Sequence, residues 1–246
     1  LSVLLAFFMV FALVGCSNNE DDNNGGTTGT EDGYKVAVVT DVGQLNDGGF
    51  NQGTYEGAVA FAEKNGLSYK YYQPANGSDA TDDDRIAAMR QAVEGGAEIV
   101  VTPGFLQAAA LETVAKENPE VKFVFVDGWN LGLANVTAIS YHEEESGFFA
   151  GYAAVMDGYT KLGGTFGGAG TNAACNRFAY GYVQGMQAAA AELGTNVEAT
   201  ISFLYGGSFS ASTELQTQIS GWYTNGTEVV FACGGGIYTS AVDAAK

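Results

Sequence analysis

The chain reads as short apolar runs separated by longer stretches in which apolar residues recur every three or four positions. Runs at 35–40, 68–72, 98–102, 122–126 and 136–141 have strand length, and a second set follows at 161–166, 197–204 and 228–232. Between them, 84–93 carries Ile86, Met89 and Val93 at helical spacing and ends at Gly95-Gly96. A second helix is expected over 107–117, stopped by Pro119, and a third over 145–156, leaving through Asp157-Gly158. Strands that alternate with helices predict parallel sheets covered by helices, an α/β fold. Eight strands exceed what one βαβαβ unit holds, so a change of domain is expected near residues 142–160.

An internal near-repeat supports two similar halves. The run at 35–40 is followed by Phe50-x-x-Gly53-x-x-x-Gly57, and the run at 161–166 by Phe178-x-x-Gly181-x-x-x-Gly185. Glycines four apart share one helix face, which predicts that each helix lies close against its sheet.

The first 33 residues depart from this pattern. Residues 1–15, LSVLLAFFMVFALVG, form an apolar run too short to span a bilayer but long enough for the core of a secretory signal. No charged start precedes it, which predicts a clipped leader. The ending Leu13-Val14-Gly15-Cys16 resembles a bacterial lipobox, making Cys16 the candidate lipidation site. The Asn, Asp, Gly and Thr of residues 17–33 then predict a flexible tether. The expected division is a signal peptide (1–15), lipidated Cys16 and tether (16–33), an N-terminal lobe (34–142), a helix and hinge region (143–160) and an incomplete C-terminal lobe (161–246).

Composition narrows the partners. There are 28 Asp and Glu against 10 Lys and Arg, a net charge of −18. Five of the acids, Glu20, Asp21, Asp22, Glu31 and Asp32, precede Tyr34, so the remainder is still strongly acidic. Such a balance excludes nucleic acid as a partner, because a phosphate backbone needs a basic footprint. Of the three cysteines, Cys175 and Cys233 lie in the folded part. An exported context permits a disulfide between them, but neither spacing nor composition demands one, and two small buried thiols are expected.

Few motifs of catalysis are present. Gly168-Ala169-Gly170-Thr171-Asn172-Ala173 fits the G-x-G-x-x-A dinucleotide pattern between a strand and a helix. The following strand ends Phe203-Leu204-Tyr205-Gly206 with no carboxylate for a ribose, which favours a glycine-rich turn without cofactor. No phosphate loop, G-x-S-x-G elbow or H-E-x-x-H occurs, and the single histidine, His142, has no nucleophile companion. No catalytic residue, metal ligand or cofactor is therefore assigned.

The loop over residues 41–51 carries more information. It sets Asp41 at the carboxyl end of the first strand and Asp47 where a helix begins, with Phe50 and Asn51 beside it. Ligands of open parallel sheets collect at that edge. The alternative makes Asp47 a helix cap and Phe50 a core residue. Asp127 ends the fourth strand on the same edge, and Phe209 offers a ring from the second half.

Taken together, KVAVVTDVGQLNDGGFNQGTYEG, FVFVDG, FFAGYAAV, GGAGTNAACNRFAYGYVQG, YGGSFSAS and WYTNGTEVVFACGGG resemble the basic membrane protein family of substrate-binding lipoproteins over residues 35–246. The resemblance implies a type I periplasmic-binding fold of two α/β lobes joined by a hinge. It also implies a nucleoside, of the purine type, held in the cleft for an importer made of an ABC permease and ATPase, with the protein lipid-anchored on the extracytoplasmic face. By position, Asp41 and Asn51 resemble residues that hydrogen-bond the base, Phe50 and Phe209 resemble the rings that stack on it, and Asp127 resembles a carboxylate that accepts from ribose hydroxyls. Ser210-Ala211 replaces a family Asp, and the family continues through further site-bearing segments beyond residue 246. Two competing readings are a binding protein for a sugar-like signalling molecule or other small polar metabolite, and an oxidoreductase using the 168–173 turn.

Overall fold

In the computed structural model the described residues are 34–42, 45–202 and 209–246. The leader, Cys16 and the tether lie outside them, as do residues 203–204 of the expected seventh strand. Among the described residues no helix is long and apolar enough to cross a membrane.

The first sheet comprises β1 (Val36–Val39), β2 (Tyr69–Tyr72), β3 (Ile99–Pro103), β4 (Lys122–Val126) and β5 (Val136–Ile139), in the order β2-β1-β3-β4-β5. Every pairing is parallel, with Val36 opposite both Tyr69 and Ile99. β1 is buried along its whole length because helices cover both faces. Ala37, Val39, Val100, Phe123 and Phe125 pack against α2 (Asp82–Glu94) and α3 (Ala108–Glu117), while Val36, Val38 and Tyr71 face α1 (Phe50–Lys64). Alternate residues of one strand thus feed two cores. α2 begins two residues earlier than periodicity predicts, because Thr81 and Asp84 form a reciprocal capping box: the Asp84 N–H donates to Thr81 Oγ1 and the Thr81 N–H to Asp84 Oδ2.

The second sheet repeats the plan. β6 (Lys161–Phe166) lies between β7 (Glu198–Ser202) and β8 (Val229–Cys233), again all parallel. α4 (Glu143–Met156) and α5 (Ala173–Leu193) cover one face through Leu162, Phe166, Tyr182 and Met186. α6 (Thr213–Thr224) and α7 (Tyr238–Ala244) cover the other. Orders 2-1-3 and 7-6-8 are the same topology, so the duplication expected from the near-repeat is present.

The packing assigned to its glycines is not. A Cβ on Gly53 or Gly57 of α1 would meet nothing within 4 Å, so these residues bring the helix no closer to its sheet. On α5, a Cβ at Gly181 would overlap the Glu144 carbonyl and one at Gly185 the Phe148 carbonyl, both on α4. Gly147 and Gly151 of α4 meet the Phe178 and Tyr182 carbonyls in return. The glycines of α5 thus seat a second helix, not the sheet, and α4 packs along α5 with its backbone almost in contact.

Candidate functional site

Where strand order reverses in an open parallel sheet, the loops after two adjacent strands part and leave a crevice at their carboxyl ends. In the first sheet this crevice lies between β1 and β3, which lead to Asp41 and to Gly104-Phe105. In the second it lies between β6 and β8, which lead to Gly167 and to Gly234-Gly235. The two crevices open into one cavity of about 720 Å³, within the size range of small-molecule sites. All six residues expected from sequence, Asp41, Asp47, Phe50, Asn51, Asp127 and Phe209, line it.

Asp41 is 8% exposed, and its Oδ1 accepts the Val42 N–H at 2.6 Å. Its carboxylate lies over Gly104, whose backbone has φ +99 and ψ 135 and where any Cβ would overlap it. Gly104 is therefore required both by its conformation and by the carboxylate above it. Gln107 fixes the same corner by donating Nε2–H to the Val39 carbonyl at 2.7 Å.

Asp47 accepts the N–H groups of Gly49, Asn51 and Gln52 at 2.9, 3.0 and 3.1 Å. It thereby bonds the open amino end of α1, as the capping alternative expects in effect, but from two residues outside the N-cap position, which Gly49 holds. Phe50 does not follow that alternative, being 37% exposed at the cavity instead of in the core. Asn51, one residue on, is 5% exposed, and its Oδ1 has no hydrogen-bond partner among the described residues. A buried carbonyl oxygen without a donor costs on the order of 1–3 kcal/mol, so Asn51 presents an unused acceptor beside the cavity.

Asp127 follows β4 with φ +59, a left-handed conformation that is uncommon outside glycine. Such strain persists where the surroundings impose it and concentrates at functional sites. Burial pushes its carboxyl up to about 6, Glu143 and Asp41 add to the shift, and Arg177 opposes it. Glu143, at the start of α4, is 2% exposed and accepts from Arg177 Nε at 2.6 Å. Burial alone would raise Glu143, but the guanidinium overrides it and holds the carboxyl below its ordinary value.

Phe209 lies between the two halves. Its ring meets that of Phe105 edge-on at 6.0 Å, and a Cβ on Gly167 would come within 2.6 Å of it. Its carbonyl accepts the Gly236 N–H at 2.7 Å, tying it to the loop after β8. Tyr238 reaches across to the first half, where its hydroxyl would stand 2.7 Å from a Cβ on Gly48.

Sequence reasoning missed Phe105, Tyr141, Glu143, Asn172 and Tyr238, which also line the cavity. Phe105 carried a usable signal, since it follows Pro103-Gly104 at a strand end. The Glu143–Arg177 pair joins residues 34 positions apart and had none. His142 is exposed and caps no ligand site, with its Nδ1 at 3.6 Å from Glu144 and Glu145. Four carboxylates, Asp41, Asp47, Asp127 and Glu143, face the cavity, and among the described residues lining it there is no Lys or Arg. Among the described residues there is also no group of three or more His, Cys, Asp or Glu that could hold a metal ion.

Comparison with known proteins agrees with this architecture. A family model described as "ABC transporter substrate-binding protein PnrA-like" matches residues 34–246. The "ABC transporter nucleoside-binding protein BmpA" of Lactococcus lactis is 30% identical over 98% of the chain and 66% of its own length. "Basic membrane protein D" of Borreliella burgdorferi is 25% identical over 98% of the chain and 65% of its length. A crystal structure of an ABC transporter solute-binding protein from Aeropyrum pernix superposes with TM-score 0.73 and 25% identity, covering 86% of this chain and 58% of the other. The fold is the type I periplasmic-binding architecture of two parallel sheets, and the chain spans just under two thirds of the curated relatives it matches.

Proposed function

The chain belongs to the PnrA-like family of ABC transporter substrate-binding proteins, and on that premise we propose that it captures nucleosides, of the purine type, in the cavity between its halves. The family is one of solute-binding proteins, not enzymes, which removes the oxidoreductase reading. Residues 34–142 and 161–246 are the two lobes that close over the ligand. Cys16 carries the lipid that holds the protein at the extracytoplasmic face of the membrane, and an ABC permease and ATPase receive the nucleoside.

The observation that carries this reading is the cavity wall itself. Asn51 Oδ1 is a buried acceptor without a partner among the described residues, suited to an N–H of a base. Asp41 and Asp127 add carboxylates, which accept strongly from N–H and O–H donors. Phe50 and Phe209 bring rings from opposite halves, and stacking on a base contributes about 1–3 kcal/mol per contact. Four carboxylates with no cation among the described lining residues oppose a phosphate, so a nucleoside fits and a nucleotide does not. The Lactococcus relative named for nucleoside binding points the same way.

The carboxylates also suit a polyhydroxyl ligand, the second reading. The two separate on the rings: a sugar-like ligand needs one, so replacing Phe209 would then matter less than replacing Asp41 or Asp127. A thermal-shift panel of purine and pyrimidine nucleosides, their 5′-monophosphates and common sugars tests the proposal. Stabilisation confined to nucleosides is expected. Stabilisation by sugars alone would favour the second reading.

A further inference from the structure

The cavity wall contains a pair of nucleophiles for which ligand capture has no use. Cys233 is the last residue of β8, and Cys175 lies in the first turn of α5. Both line the cavity, and both are free thiols. They are 58 positions apart in sequence, yet the Cys175 thiol reaches the backbone carbonyl of Cys233, its Sγ 3.9 Å from that oxygen. The Asn172 side chain accepts the Cys175 N–H at 2.7 Å and so fixes the cysteine on the helix end. The Gly167 N–H donates to the Cys233 carbonyl at 2.8 Å and fixes the strand end.

From this juxtaposition we propose that Cys175 and Cys233 form a redox-active dithiol in the wall of the ligand cavity, closed to a disulfide by low-molecular-weight disulfides that enter through the cavity. The neighbouring Cys233 side chain lowers the Cys175 thiol, and Cys175 together with burial raises that of Cys233. Cys175 is thus the readier thiolate. The Cys175 thiolate attacks one sulfur of the external disulfide, breaking its S–S bond and releasing one thiolate. Cys233 then loses its proton, attacks Cys175 Sγ and expels the second thiolate. Two electrons and two protons pass from the cysteine pair to the external disulfide, which leaves as two thiols. The product links the ends of β8 and α5 and closes a loop containing β7 and α6. Closing a loop of that length constrains the unfolded chain and raises the melting temperature by roughly 5 °C or more.

The test treats the native full-length chain with excess oxidised glutathione, quenches with N-ethylmaleimide and maps peptides without reduction, which also resolves Cys16. The expected result is a peptide containing Cys175 joined to one containing Cys233, lighter by two hydrogens. A higher melting temperature that dithiothreitol reverses should accompany it. Cys175→Ser and Cys233→Ser should each stop at a glutathione adduct on the remaining cysteine. Wild-type protein carrying separate adducts, retaining two alkylatable thiols in the mapped pair, or linking only after denaturation would overturn the proposal. None of these outcomes depends on which ligand the cavity binds.

Discussion

Replacing Gly104 by Ala should weaken binding in the cavity by displacing Asp41. The backbone there, at φ +99 and ψ 135, lies close to a region that only glycine occupies readily. Holding an L-residue in it costs about 1–3 kcal/mol. The added methyl would also overlap the carboxylate of the buried Asp41 and so must displace it. For a fold of this size the strain corresponds to a fall in melting temperature of roughly 2–10 °C. Displacing Asp41 removes a hydrogen bond to a charged group, worth about 1.5–3 kcal/mol, so affinity should fall about tenfold to more than a hundredfold. Titration calorimetry on Gly104→Ala and Asp41→Asn, with melting curves for both, measures the two effects separately. Gly104→Ala with unchanged melting and unchanged affinity would refute the argument that this glycine seats Asp41.

Further outcomes follow from the same geometry. Phe209→Ala should weaken nucleoside binding by about 1–3 kcal/mol, or roughly fivefold to more than a hundredfold, measured by equilibrium titration against Asp127→Asn. Because Asp127 is raised to about 6 in the free protein, a ligand that needs its carboxylate must compete with a proton. Affinity should therefore be flat above pH 7, fall about tenfold by pH 5, and lose this dependence in Asp127→Asn. The same shift has an opposite sign for stability: the folded state holds the proton more tightly than the unfolded one, so this carboxyl's contribution becomes less favourable as pH rises from about 4 through 6. Gly57→Ala, which meets open space, should stabilise by about 0.5–1 kcal/mol, whereas Gly181→Ala must part α4 from α5 and should destabilise in chemical denaturation.

The elements legible in the sequence are those whose signal is local. The short apolar runs of β1 and β3 and the Gly95-Gly96 stop after α2 mark their own boundaries to within a residue or two, and the Thr81 cap explains the early start of α2. Asp41, Phe50, Asn51 and Asp127 could be placed because a parallel sheet always carries its loops to one edge, so their position after or before a strand sufficed. What failed was partner identity. The helix-face glycines looked alike in both halves, yet the Gly181 and Gly185 pair faces α4 because α4 carries Gly147 and Gly151 at matching spacing, whereas Gly53 and Gly57 have no such counterpart. Glu143 and Arg177 are each unremarkable in sequence, and only the close α4–α5 approach brings them together beside Asp127. The proximity of Cys175 and Cys233 was equally invisible in their spacing, because it arises where the start of α5 meets the end of β8.

A neutral purine nucleoside is proposed to occupy the cavity between the two halves. Equilibrium dialysis of the full-length protein against radiolabelled guanosine, with unlabelled guanosine, guanosine 5′-monophosphate and galactose as competitors, tests it in one measurement. One nucleoside bound per chain, displaced by guanosine and not by the monophosphate or the sugar, is the predicted result. No retention of nucleoside, or displacement by the monophosphate as effective as by guanosine, would contradict it.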